Sequence, residues 1–189
     1  MSNTSDRLTR DDWLAAALDA LMQQGPDAVA VQPLARRLGT TKGSFYWHFG
    51  SRDDLLRATL ARWEELATDE VIAAIEALQV PAAEKARQLF AKVTASSARH
   101  PGQLSLLAAV AHPDVAAAVA RSTGRRIAYI AQLLRTTGRT PAVAQRRAIL
   151  AYAVYLGHAQ LIRTTPGVLP NTPRTRRALV EEMATVLLG

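Results

Sequence analysis

The 189-residue chain predicts an all-α fold: a three-helix head containing a helix-turn-helix, followed by a larger helical body. Three observations predict it. No segment alternates apolar and polar residues as a strand does, and no internal repeat is present. Apolar residues recur at spacings of three and four along most of the chain. Glycine and proline fall at the ends of those periodic stretches, beside residues that can cap a helix.

The elements follow in order. Thr9 and Asp12 have the spacing of a capping box, with Asp in place of the usual Glu. Behind them Leu14, Ala17, Leu18 and Leu21 form one apolar face, and Gly25-Pro26 stops the helix. A second helix runs to Leu38, with Pro33 in its first turn, where a missing N–H costs little. Gly39 ends it, and Thr40 or Thr41 can cap the next, which spans about Thr41 to His48. Ser51, with Asp54 three residues on, caps a fourth helix. That helix is expected to run unbroken to about Leu78, with Leu60, Trp63 and Leu66 as apolar markers, until Pro81 breaks it. A helix from about Ala82 to Arg99 buries Leu89, Phe90 and Val93. His100-Pro101-Gly102 reads as a turn, residues 103–111 as a short apolar helix, and His112-Pro113 as its end. A helix from about Asp114 to Thr137 has a weak point at Gly124 and stops at Gly138. Pro141 opens a long helix to about Thr164. Residues 165–171 read as a loop, and Thr172 with Pro173 starts the last helix.

Composition narrows the function classes. Hydrophobic content is 49%, too high for a disordered chain. No apolar run is long enough to span a bilayer, and the first residues, MSNTSDRLTRDD, do not resemble a secretory signal, so a cytoplasmic location and no membrane partner are expected. Cysteine is absent, which excludes disulfides and thiolate chemistry. The four histidines lack metal-ligand spacing. No nucleophile elbow and no phosphate-binding glycine loop occurs. Neither a cofactor nor a metal is expected, and a helical enzyme is the weakest of the readings considered.

Net charge is +7, yet it does not by itself argue for nucleic acid. In residues 1–54 six bases oppose seven acids, leaving that part at −1. The excess lies further on, where Arg121, Arg125, Arg126, Arg146, Arg147, Arg174, Arg176 and Arg177 read as solvated helix faces. Any DNA contact must rest on the local placement of Lys42, Arg36 or Arg37, and Arg52.

Residues 34–55, LARRLGTTKGSFYWHFGSRDDL, carry the strongest signal. They read as two short helices about a glycine turn, the second dense in hydroxyl, basic and aromatic groups. A core helix would not spend so many polar groups over so few residues. A recognition helix presents its first residues to base edges in the major groove. Lys42 can donate to guanine O6 and N7, and Ser44 can reach bases or phosphate. Thr41 sits where free backbone N–H groups also attract phosphate. Gly43, without a side chain, lets the helix lie close to a duplex. Phe45 and Phe49 read as core filling. Trp47 is open between packing and a phosphate-side contact.

The run LGTTKGSFYWHFGSRDDLL resembles the signature of TetR-type (TetR/AcrR) transcriptional repressors. The likeness rests on Gly43 between Lys42 and Ser44, on Phe45-Tyr46, on His48-Phe49 and on Arg52, and it covers residues 8 to 56. Two positions depart from the usual pattern: Thr40 replaces a common Val, and Ala30 stands where Ser or Thr usually caps the second helix. The resemblance implies that Tyr46, His48 and Arg52 grip phosphates and that Gln32 does so from the second helix. Such contacts fix register without reading sequence. It further implies a DNA-binding domain over 1–54 and an effector-binding and dimerisation domain over 55–189.

One recognition helix covers too few base pairs to find a site in a genome. A homodimer on two half-sites about 34–36 Å apart solves this, which makes a palindromic double-stranded operator the expected partner. Ile149, Leu150, Ala153, Val154, Gly157 and Leu161 on one helix, and Leu179, Val180, Met183, Val186 and Leu187 on another, give apolar faces for pairing; the alternative is that these faces only close the monomer core. By resemblance, the body holds a small-molecule effector whose binding releases DNA. Candidate liners are Trp63, Phe90, Leu104, Leu107, Tyr129, Tyr152, Tyr155 and His158. The competing reading is a constitutive helix-turn-helix protein whose body serves only protein contacts.

Overall fold

The computed structural model describes residues 8–97, 102–170 and 172–188. Among them it contains ten α-helices and no strand: α1 (Arg10–Gln24), α2 (Val31–Arg37), α3 (Lys42–Tyr46), α4 (Arg52–Glu64), α5 (Glu70–Glu76), α6 (Ala82–Ser97), α7 (Gly102–Ala108), α8 (Pro113–Arg135), α9 (Pro141–Thr164) and α10 (Pro173–Leu188). The expected turn at His100 and Pro101 lies outside the described residues. No described helix is long and apolar enough to cross a membrane.

The chain divides into two compact units, the first formed by residues 1–65 and 105–119, the second by 66–104 and 120–189. The first unit is set by local chemistry. Thr9 and Asp12 form the expected capping box: Asp12 N–H donates to Thr9 Oγ1 at 3.2 Å, and Thr9 N–H to Asp12 Oδ2 at 2.7 Å. The Thr9 contacts, with His48 nearby as the smallest contribution, hold the Asp12 carboxyl below its ordinary value. Gly25 at φ 88° and Gly39 at φ 64° take the left-handed conformations that end α1 and turn the chain after α2. Ala30 precedes α2 without any side-chain cap, so that helix start is held by packing of Leu34 and Ala35. Thr41 accepts from Ser44 N–H, and Ser51 from Asp54 N–H at 3.1 Å, starting α3 and α4. Trp13, Phe45, Leu55 and Leu56 are fully buried, each such side chain contributing about 1.5–3 kcal/mol or more by its removal from water.

The second unit packs α5, α6, α9, α10 and the later part of α8 around Ile75, Phe90, Tyr129, Leu133 and Leu134. Ala144, Ala151 and Ala184 are buried among them, and their small side chains let the helices close. Arg139 Nη2 donates to Leu188 O at 2.9 Å and Arg147 Nη1 to Leu187 O at 3.3 Å. These cations satisfy carbonyls at the end of α10, where the helix dipole favours positive charge.

Three expectations are corrected. The fourth helix does not run unbroken to Leu78: it is α-helical to Glu64, passes through a π-helical turn over Glu65–Asp69, and resumes as α5. The third helix is shorter than Thr41–His48, ending at Tyr46, where the chain tightens and His48 N–H donates to Phe45 O three residues back at 2.9 Å. Gly124 does not weaken α8, which continues through it because a lone exposed glycine costs only about 1 kcal/mol against alanine.

Candidate nucleic-acid interface and effector cavity

The outward face of α3 is built on an aromatic anchor. Phe45 points inward, its ring 5.3 Å from Trp13 edge-on and 5.6 Å from Phe49 in a stack. The guanidinium of Arg10 covers the Phe49 ring at 4.9 Å. Inward placement of Phe45 turns its neighbours out. Thr41, Lys42, Gly43, Tyr46 and Trp47 are exposed, Tyr46 at 62% and Trp47 at 78%. Such large aromatic exposure on a short helix otherwise anchored in a core is costly in water. Gln32 is exposed on α2, and Ser44 is half-buried. A Cβ built on Gly43 would meet only Thr41 Oγ1, at 3.5 Å. The chain's own packing therefore does not demand glycine there.

Of the residues expected on phosphates, Arg52 is engaged elsewhere and His48 is half-buried. Arg52 Nε donates to Val29 O at 2.8 Å and Nη2 to Pro26 O at 2.6 Å, while Nη1 pairs with Asp53 at 3.2 Å. It thereby ties α4 to the turn between α1 and α2. His48 is half-buried near Asp12, and its Nε2 is shielded from solvent without a hydrogen-bond partner. Arg37 is paired with Asp19 at 2.6 Å. Local neutralisation of this kind leaves Lys42 as the exposed cation of the recognition helix itself.

Two cavities lie among the described residues of the second unit. The first, about 70 Å³, is lined by Phe90, Tyr129, Tyr152 and Tyr155 of the expected set. Burial, then the Glu76 carboxylate, push the Tyr129 hydroxyl above its ordinary value, although no hydrogen bond of normal geometry joins the two. Burial likewise raises the Tyr155 hydroxyl, and the nearby Arg126 partly offsets this. The Tyr152 hydroxyl lies 3.2 Å from Thr123 Oγ1. His158 lines the other cavity, about 610 Å³, with Arg176 and Leu179; burial lowers its pKa. Trp63, Leu104 and Leu107 line neither cavity: Trp63 and Leu104 are buried in packing, and Leu107 is half-buried.

Residues that sequence reasoning missed include Thr68, Ile72 and Arg126 of the first cavity. Arg126 reads as one more base in a solvated run. Only the fold reveals that it turns inward, its Nε donating to Thr68 Oγ1 at 2.9 Å and Nη2 to Ala67 O at 3.0 Å.

The expected pairing residues fall into two groups. Val154, Val180, Met183 and Leu187 pack partly against the unit's own core. Leu150, Gly157 and Leu161 are exposed on one face of α9 with Ala153, and Val186 on α10 is 70% exposed.

Residues 14–59 match the sequence model of the family described as bacterial regulatory proteins, tetR family. That span holds the capped head, the glycine turn and α3. The head, over residues 14–59, is similar to the tetR family. The chain is 32% identical over 114 residues to the HTH-type transcriptional regulator AlkX of Mycobacterium tuberculosis, covering 60% of this chain and 54% of that protein. It is 31% identical over 93 residues to the class D tetracycline repressor of Escherichia coli, covering 49% of this chain and 39% of the repressor. The match thus spans about half the length of the first of these relatives and less of the second. The whole fold is similar to the crystal structure of a TetR transcriptional regulator from Legionella pneumophila, with a TM-score of 0.76 at 16% identity over 98% of each chain.

Proposed function

We propose that this chain is a repressor that binds a palindromic DNA operator as a homodimer and is released by a small molecule. The observation that carries the reading is the outward face of α3. Lys42, Tyr46 and Trp47 are held in water by a fully buried Phe45, and Gly43 is a glycine that internal packing does not require. A duplex lying against the helix supplies that requirement. In this reading Lys42, with Ser44, contacts base edges. Thr41, Tyr46, Trp47 and Gln32 serve the backbone. Arg52 positions the head through the turn at Pro26–Val29, and His48 reaches phosphate only if its ring swings outward.

Residues 1–54 carry DNA reading in this account and 55–189 carry effector binding and pairing. Support for pairing comes from Leu150, Ala153, Gly157 and Leu161, which repeat on one exposed face of α9, where Gly157 leaves room for a close neighbour. Support for an effector comes from the cavities of the second unit. The likeness to a tetracycline repressor supports repression and control by a small molecule. An effector must bind the DNA-incompetent state more tightly, or it shifts nothing. On this reading the protein acts in the cytoplasm and needs neither cofactor nor catalytic group.

Selection from a pool of randomised duplexes tests the reading. The expected product is an inverted repeat with half-site centres about one helical turn, or a multiple of it, apart. Recovery of no enriched sequence would remove the operator-binding reading.

A further inference from the structure

The larger of the two cavities, about 610 Å³, is bounded by α6, α9, α10 and the turn that joins the last two. That volume is in the range of small-molecule sites, whereas the first cavity, about 70 Å³, is smaller than the roughly 150 Å³ that takes a benzene ring. The walls of the larger one are aliphatic: Ala91 and Ala95 of α6, Ile162 of α9, Leu179 and Val180 of α10. Among the described residues no phenylalanine, tyrosine or tryptophan lines it. A flat aromatic guest finds no such ring to stack on there, while a chain of methylenes finds apolar wall. Thr94 belongs to the wall, and its hydroxyl donates to Phe90 O of its own helix at 2.7 Å. His158 is no cation at neutral pH, because burial lowers its pKa.

The charge of this cavity lies on one side, along the first turns of α10. Arg176, Arg177 and Glu181 line it there, and all three are exposed, so they stand on its open edge. Arg176 Nε donates to Pro170 O at 2.8 Å, which holds the guanidinium against the turn and leaves its terminal nitrogens for another acceptor. Arg177 has neither a hydrogen bond nor an ion pair among the described residues. Two arginines against one glutamate make the edge cationic. The surroundings have the same sign. Over residues 66–104 and 120–189 fifteen bases oppose six acids, leaving +9, whereas over 1–65 and 105–119 eight oppose ten, leaving −2. A field of that sign gathers anions and turns ammonium groups away. Arginine also suits a carboxylate geometrically, as a fork of parallel donors.

We propose that the larger cavity takes an unbranched aliphatic carboxylate, its chain along the wall of Ala91, Ile162 and Val180 and its head at the Arg176 and Arg177 guanidinium groups. The inference rests on the ligand-released reading above and gives that ligand its chemistry. The chain leaves water for an apolar wall, and the head stays at the solvent edge, where its charge is matched. An alcohol of the same length buries the same chain without a charge-assisted bond, and an ammonium meets two like charges with Glu181 alone in its favour.

The test is calorimetric titration of the full chain, without DNA, with decanoate, 1-decanol and decylammonium, each below the concentration at which it aggregates. Decanoate is expected to bind at least about tenfold tighter than decanol, the worth of one charge-assisted hydrogen bond, and decylammonium weaker than decanol. From hexanoate through octanoate to decanoate, affinity should rise about fourfold per methylene, the worth of burying one CH₂. Arg177→Gln, at an exposed position, should weaken decanoate about tenfold and leave decanol unchanged. Arg146→Gln removes an exposed cation that does not line the cavity and should change neither. Ala91→Phe, which fills the wall, should abolish binding of both; should it not fold, the two arginine variants decide. Equal binding of acid and alcohol, a flat chain-length series, or no binding of decanoate overturns the proposal, as does an equal loss for Arg177→Gln and Arg146→Gln. DNA release is read separately by anisotropy on a selected duplex. If decanoate binds as expected but releases no DNA, the ligand-released reading fails while the cavity chemistry stands. If other compounds release DNA and the acid is not preferred, only this inference fails.

Discussion

The two compact units fill their cores in different ways. Both cap helix starts with hydroxyls, Thr9, Thr41 and Ser51 in the first and Thr140 in the second, but in the first a cluster of large aromatics, Trp13, Phe45 and Phe49, fills a small core. In the second, long helices close over alanines, and arginines reach the carbonyls of neighbouring elements. Dense aromatic packing fixes the exposed face of α3. Small residues leave room for a cavity in the second unit. The contrast teaches that dense and open packing are divided along the chain, and that α3 owes its exposed face to the first kind.

The largest test of that contrast removes the anchor. Phe45→Ala should cost about 3–5 kcal/mol, because the ring is fully buried and its cavity cannot collapse around Trp13. Urea denaturation checks it; a loss below about 1 kcal/mol would mean the aromatic core is not what fixes α3. Next is the exposed face of α9 and α10. Leu150→Asp or Val186→Asp should leave the helical content intact yet yield a monomer at micromolar concentration, because pairing would bury an unmatched charge. Sedimentation velocity reads this directly, and an unchanged dimer would move the pairing face elsewhere. Lys42→Ala should then weaken binding to the selected duplex by about 1–3 kcal/mol and relax preference at one base pair, whereas Tyr46→Phe should weaken all duplexes alike. Titrations on single-base variants separate the two, and a uniform loss for Lys42→Ala would take it out of the base-reading set.

The smallest expected effect lies at the first cap. Thr9→Ala should destabilise by about 1 kcal/mol. Its pH dependence has a definite sign. The Asp12 carboxyl is held below its ordinary value of 3.8, so its contribution is present above that pH and is lost as the pH falls through the lowered value. Asp12→Asn should therefore flatten the acid limb of a pH–stability curve. An unchanged acid limb would show that the capping box contributes nothing there.

Legibility in the sequence follows the same division. Thr9, Gly25, Thr41 and Ser51 act on residues within a few positions, so their spacing alone reveals α1, α3 and α4. The inward set of Phe45 and Phe49 is legible for the same reason. Arg52, Arg126 and Arg139 are not, because each reaches a carbonyl far away in sequence, at Pro26, Ala67 and Leu188. A basic residue on a helix looks the same in sequence whether it faces water or a distant carbonyl. The turn over Glu65–Asp69 was equally hidden, since no proline or glycine marks it and its side-chain support comes from α8. Trp63 and Leu104 show the converse: large apolar side chains suggest a cavity wall and are instead packed shut.

The most direct test of the central claim, that the outward face of α3 reads DNA, is an anisotropy titration of the selected duplex with Gly43→Ala beside the wild type. A Cβ there meets nothing in the protein closer than 3.5 Å, and alanine favours a helix by about 1 kcal/mol over glycine. The account predicts a thermal midpoint that is unchanged or raised, and duplex affinity lower by about tenfold or more as the new methyl is forced against the duplex, in the range of an overpacked contact. A variant that binds the duplex as tightly as the wild type, or a wild type that prefers no duplex over any other, would contradict it.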